Sequence, residues 1–188
     1  GYSFQNGGYY LPISKYLDFT ILGDYYTNGS YGVNLSSQYK KRYKYTGNFS
    51  IRYENLINGE RGLPDYSKST IYNVRWTHSK DSKASPYSSL SASVNFGSSD
   101  YFRQSVNQLN TPNFLNNNLS SSVSYTKTFP GDAGVRLSLT TSMSQNTQSK
   151  EVSLTLPTFT LNSARFYPFA KKGATKKGII QNINLQYS

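Results

Sequence analysis

Along this chain, apolar and small polar side chains alternate in segments of about ten residues, and tyrosines close the apolar face at its ends. The clearest segments are Tyr31-Gly-Val33-Asn-Leu35-Ser-Ser-Gln-Tyr39 and Tyr45-Thr-Gly-Asn-Phe49-Ser-Ile51-Arg-Tyr53. Successive side chains of a strand point to opposite faces. One face therefore reads Tyr, Val, Leu, Ser, Tyr and then Tyr, Gly, Phe, Ile, Tyr, while the other collects Asn, Ser, Gln, Thr and Arg. From Tyr31 to Tyr39 the chain covers roughly 27 Å at ~3.3 Å per residue. Tilted by ~40°, that is roughly 20 Å along a membrane normal, close to the ~25 Å apolar band of an outer-membrane barrel with its two aromatic girdles.

The same rhythm predicts about ten antiparallel strands. A short extended piece, Gly8 to Ile13, turns at Lys15-Tyr16 into Leu17–Tyr25. The Asn28-Gly29 pair between two alternating runs is a hairpin signal, and a second turn at Lys40–Lys44 leads into the strand from Tyr45. Further strands are expected at Thr70–His78, Leu90–Phe96, Leu119–Tyr125, Val135–Met143, Glu151–Leu156 and Ile179–Tyr187, with Pro157 breaking the regularity of the ninth. Polar connections near 55–69 and 99–118 are expected to be mobile loops. The nearest helical candidate, Arg103 to Leu109, lacks a sustained 3.6-residue period. The expected fold is all-β: an antiparallel transmembrane β-barrel segment, one partial barrel domain over 1–188, about ten strands of a larger barrel.

Composition is compatible with that reading. The chain is 36% hydrophobic, with 18 Tyr, 10 Phe, one Trp and no Cys, and its mean hydropathy is −0.62. Low hydropathy does not argue against a membrane wall, because half of each barrel strand faces a polar lumen. A start at Gly1 and an end in mid-pattern suggest a piece of something longer. Net charge is +11, with clusters at Lys40-Lys41-Arg42/Lys44 and Lys171-Lys172/Lys176-Lys177. Both clusters fall in connections, where solvated turns or anionic lipid head groups account for them better than nucleic acid.

A soluble sandwich also alternates. Three features favour lipid over it: long strands, a Ser/Asn/Thr polar face where a soluble sheet carries charge, and Tyr at the ends of the apolar face. The interfacial aromatics would be Tyr31, Tyr39, Tyr45, Tyr53, Tyr125 and Tyr187. Arg52, Arg75 and Arg136 fall on the polar face and would line the lumen.

Catalytic chemistry finds no constellation. The only histidine, His78, has no Ser/Asp partner at a recognisable spacing, and one histidine without cysteines makes no multi-His or Cys/His metal centre. The nine carboxylates are scattered. No catalytic residue, metal site or cofactor is expected, and the chain reads as a non-enzyme.

The first fifty residues resemble a particular family. Gly1-Tyr2-Ser3, Gly8-Tyr9-Tyr10-Leu11-Pro12-Ile13, Tyr16-x-Asp18-x-Thr20 and Asp24-x-Tyr26 are similar to the start of the barrel in the LptD (OstA-like) lipopolysaccharide-assembly outer-membrane proteins, nearest their Bacteroidetes branch. Pro64 to Lys68, Arg75 to Ser79, Ser91 to Phe96, Leu119 to Tyr125, Val152 to Pro157 and Arg165 to Phe169 agree in order and spacing. The resemblance implies a bacterial outer-membrane protein that takes lipopolysaccharide from a periplasmic bridge protein and inserts it into the outer leaflet. It also implies outer-membrane lipids around the barrel, an LptE-like plug lipoprotein in the lumen, and a proline-weakened first strand at a lateral gate, here Tyr10, Leu11 and Pro12. Arg52, Arg75 and Arg136 would then help to hold the plug or face lipid phosphates. Family members also carry a periplasmic jelly roll and a barrel of about two dozen strands, so this chain would be the N-terminal part of the barrel. The rivals are a porin or nutrient-uptake barrel fragment and a soluble or surface-exposed β-sandwich adhesin.

Overall fold

Backbone N–H and C=O groups inside a membrane find partners only in helices or in neighbouring strands. The alternating sequence takes the second solution. A computed structural model describes residues 1–98, 100, 104, 118–131 and 134–163. They form one antiparallel sheet of nine strands in sequence order: β1 (Ser3–Ser14), β2 (Leu17–Tyr26), β3 (Tyr31–Lys41), β4 (Tyr45–Asn58), β5 (Ser67–Lys80), β6 (Ser88–Gly97), β7 (Asn118–Thr128), β8 (Arg136–Asn146) and β9 (Glu151–Asn162). The turns after β2, β4, β6 and β8 gather at the end of the sheet where β1 begins, the near end. Those after β1, β3, β5 and β7 gather at the far end.

The Asn28-Gly29 hairpin joins β2 to β3 as expected, with Gly29 at a positive φ of 87°. Register then fixes the faces. Tyr25, Gly23, Ile21 and Phe19 of β2 stand opposite Tyr31, Val33, Leu35 and Ser37 of β3. Val33, Leu35 and Ser37 in turn oppose Tyr53, Ile51 and Phe49 of β4. The apolar positions thus fall in continuous rows across the sheet on one face, the outer face.

Three elements differ from the sequence expectation. The first strand is not a short piece but runs twelve residues, because two register shifts, between Phe4 and Gly7 and between Pro12 and Ser14, absorb its irregular spacing. The ninth strand does not stop at Pro157: a register shift there sets Leu156 and Pro157 against Thr141 alone. This bulge moves the alternation by one step, so that Val152, Leu154 and Leu156 before it and Phe159 and Leu161 after it share one face. Strand residues also consume both ends of the expected 55–69 connection, leaving 59–66 between β4 and β5. The expected strand Ile179–Tyr187 and the Lys171–Lys177 cluster lie outside the described residues. The expected loop 99–118 and the helical candidate 103–109 do so too, except for Asp100, Gln104 and Asn118.

Among the described residues buried apolar side chains are few: Leu56, Ile71 and Leu119 form one cluster near the near end. Large apolar residues elsewhere stay uncovered, including Leu156 at 75% and Phe159 at 64% exposure. A sheet that leaves this much apolar surface open, and packs almost no core, is built for an apolar surrounding.

Candidate functional site

The sheet's first edge is its most irregular element. In β1, Leu11 faces outward opposite Phe19, while Tyr10 and Pro12 stand opposite Thr20 and Asp18 on the inner face. Proline has no N–H to donate to a ladder, so it belongs at edges and bulges. Pro12 occupies both, beside a register shift on an edge strand. The three residues read from the sequence as a gate are consecutive on β1, which among the described residues is paired on one side only.

The other register shift of β1 is anchored. Asn6 takes a positive φ of 55°, a conformation that asparagine tolerates better than most residues. Its backbone N–H donates to Asp24 Oδ1 at 2.7 Å. The second oxygen of Asp24 accepts from Arg52 Nη2 at 2.5 Å, and Arg52 also donates to Glu54 Oε1 from Nη2 at 2.6 Å and from Nε at 3.0 Å. Asp24, Arg52 and Glu54 are all buried. A single carboxylate therefore joins β1, β2 and β4.

Arg52 reaches Asp24 across the intervening β3 because Gly32 stands there without a side chain. A Cβ on Gly32 would lie 2.7 Å from Arg52 Nη2 and 3.2 Å from Glu54 Cγ. The backbone partner rows Asp24–Gly32–Glu54 and Asn34–Arg52 set the two ends of that crossing. Charge-assisted contacts of this kind are short and strong, and their burial makes each partner depend on the others.

Of the three arginines read as lumen-facing, Arg52 does lie on the inner face, but its guanidinium is engaged by these two carboxylates. Arg75, opposite Ser50 and Asn95, is a diagonal neighbour of Arg52 on β5. Arg136 lies apart, exposed at the far end of β8. Sequence reasoning missed Glu54, Asn6 and Gly32, and met Asp24 only as part of the Asp24-x-Tyr26 motif. The Arg52/Glu54 spacing of two residues on one strand face was the available signal.

The outer face has aromatic rows at both ends. Tyr25, Tyr31, Tyr53 and Tyr72 line the near end. At the far end the Tyr39 hydroxyl accepts from Trp76 Nε1 at 2.8 Å and lies 2.9 Å from His78 Nδ1. The Tyr45 and His78 rings stack at 6.2 Å and 27°. Tyr39 crosses to β5 over Gly47, where a Cβ would collide with its ring. His78 is thus a member of the far-end aromatic cluster. Tyr125 lies in the same far-end band, opposite Leu90 and Leu139; Tyr187 lies outside the described residues. Among the described residues no group of His, Cys, Asp and Glu is arranged to hold a metal.

An antiparallel sheet with an apolar outer face between two aromatic rows, and a Ser/Asn/Thr inner face holding a buried ion cluster, is the wall of an outer-membrane β-barrel protein. No helix among the described residues is long and apolar enough to cross a membrane, so it is the strands that cross. The chain matches the family model described as LptD protein over residues 1–188, and it belongs to that family. It is accordingly an outer-membrane protein of the lipopolysaccharide transport and assembly system. No curated protein and no solved structure matches it.

Proposed function

We propose that this segment is the part of the barrel wall past which lipopolysaccharide moves into the outer leaflet, with β1 as the edge that yields. The observation that carries the reading is the state of β1: an edge strand with two register shifts and Pro12 beside one of them. Each lost ladder bond removes about 1 kcal/mol of pairing, so this edge separates more cheaply than the regular ladder between β3 and β4. The chemistry required is displacement, not bond-making: a polar head passes along the Ser/Asn/Thr face while acyl chains remain with the apolar one.

Family membership supports lipopolysaccharide handling with the transport machinery in general; the particular partners proposed are these. Lipopolysaccharide arrives from a periplasmic bridge protein, and an LptE-like lipoprotein plugs the lumen against the inner face. Arg52, Arg75 and Arg136 are the inner-face cations proposed to meet the plug or lipid phosphates, Arg52 through the remaining side of its carboxylate-held guanidinium.

The test is Pro12→Val, which restores an amide donor and a strand-forming side chain. Surface lipopolysaccharide, measured by its accessibility to an outer-membrane lipid-modifying enzyme, is expected to fall while the amount of inserted protein is unchanged. Unaltered surface lipopolysaccharide with a β1–β2 pairing shown to be tightened by hydrogen exchange would overturn the gate. Alanine at Arg75 and Arg136 should loosen retention of the plug in detergent extracts; full retention and normal export would remove those two residues from the reading.

A further inference from the structure

Charge is divided along the strand axis. Among the described residues the far end carries nine cations, from Lys15 to Arg136, against the carboxylates of Asp18 and Asp81. Neither acid is spent on a cation: Asp18 Oδ1 accepts from the Gln38 backbone N–H and Asp81 Oδ1 from that of Lys83. The near end holds six carboxylates, Asp24 and Glu54 among them, and four cations including Arg52.

Three of the far-end lysines repeat one arrangement. Lys41 follows Tyr39 by two residues, Lys80 follows His78, and Lys127 follows Tyr125, so each shares the outer face with an aromatic ring and stands one step closer to the rim. Register confirms the placement. Lys41 and Lys80 both stand opposite Tyr45, on either side of it, and Lys127 stands opposite the outward Leu137. Lys41 Nζ lies 5.1 Å from the Tyr16 ring centroid and Lys127 Nζ 4.8 Å from that of Phe129.

A ring row with ammonium groups just beyond it matches the two layers of a membrane surface. Rings settle at the boundary of hydrocarbon and head groups, and lysine stems run along them to place charge among the head groups. We propose that Lys41, Lys80 and Lys127 form an outward-facing girdle that binds the phosphates of anionic lipid head groups at one leaflet. The proposal rests on the membrane-wall reading and adds a headgroup preference, set at the far end alone.

The experiment measures spin-labelled lipid held motionally restricted around the full chain in phosphatidylcholine bilayers. Labelled phosphatidylglycerol is expected to be preferred several-fold over labelled phosphatidylcholine, since each lysine near an anionic surface supplies up to about fivefold. Half-molar salt should erase most of that preference. The variant Lys41→Gln/Lys80→Gln/Lys127→Gln should lose at least half of it, whereas Arg61→Gln/Lys68→Gln/Lys150→Gln at the near end should keep it. Restricted lipid with no headgroup preference, a preference insensitive to salt, or equal loss from both triple variants would overturn the girdle. A chain that restricts no lipid at all would instead refute the membrane wall itself. Should the far-end variant fail to insert, the salt dependence of the unaltered chain still decides.

Discussion

Arg52→Met is the sharpest perturbation of this structure. Methionine keeps the length and volume of the stem but removes all three charge-assisted contacts, to Asp24 and to Glu54. What remains is two carboxylates exposed by only 8% and 1%, with no cation between them. Breaking a buried pair by removing one partner costs about 3–5 kcal/mol, because the other charge is left without compensation. Against a total stability of about 5–15 kcal/mol, that is a fifth or more. The assay is urea unfolding of the chain in lipid vesicles, read by the fluorescence of Trp76, the one tryptophan in the chain. A triple variant, Asp24→Asn/Arg52→Met/Glu54→Gln, removes the stranded charges and should recover most of the loss. If Arg52→Met costs under about 1 kcal/mol, the range of a surface pair, or if the triple variant is no more stable than the single one, the ion cluster does not hold the strands together as argued.

Gly32→Val puts a side chain where Arg52 crosses β3; it should cost about 1–3 kcal/mol by overpacking and be strongly non-additive with Arg52→Met in a double-mutant cycle. Tyr39→Phe strips the acceptor from Trp76 Nε1, so the indole emission should shift and the same unfolding assay should register a loss of about 1 kcal/mol. Unchanged emission would place Trp76 in another environment. Asp24→Asn keeps an acceptor for Asn6 but weakens the charge; hydrogen exchange at the Asn6 amide should accelerate by about tenfold, a change of about 1.4 kcal/mol in local opening, while amides of β7 and β8 stay protected.

Much of the wall was legible because alternation and turn chemistry are local signals. Asn28-Gly29 fixed one hairpin, and the paired runs Tyr31–Tyr39 and Tyr45–Tyr53 fixed the faces of β3 and β4 on either side of the next turn. The irregular strands were not legible to the same degree. In β1 the run Gln5-Asn6-Gly7-Gly8 has no alternation to follow, since Asn6 sits in a bulge and its amide is satisfied by a carboxylate eighteen residues on. In β9, Pro157 looks like an end and is a change of phase. The ion cluster depends on which residue of β3 lies beneath Arg52, and register two strands apart is a property of the assembled sheet. The far-end lysines were visible singly as turn charges; only the register of β3, β5 and β7 shows that three of them repeat one step from an aromatic ring.

The bond from Asn6 to Asp24 divides the first strand mechanically. On the proposed gate, Asn6 marks one end of the arm that yields, Gly7–Ser14, with Ser3 and Phe4 on the other side of the bond. That arm is roughly 25 Å long at ~3.3 Å per residue, comparable to the apolar band it would uncover. Because the Lys15-Tyr16 turn ties the other end of the arm to β2, a proposed opening would bow this edge outward between two fixed points, Asn6 and Ser14, and not lift it from one end.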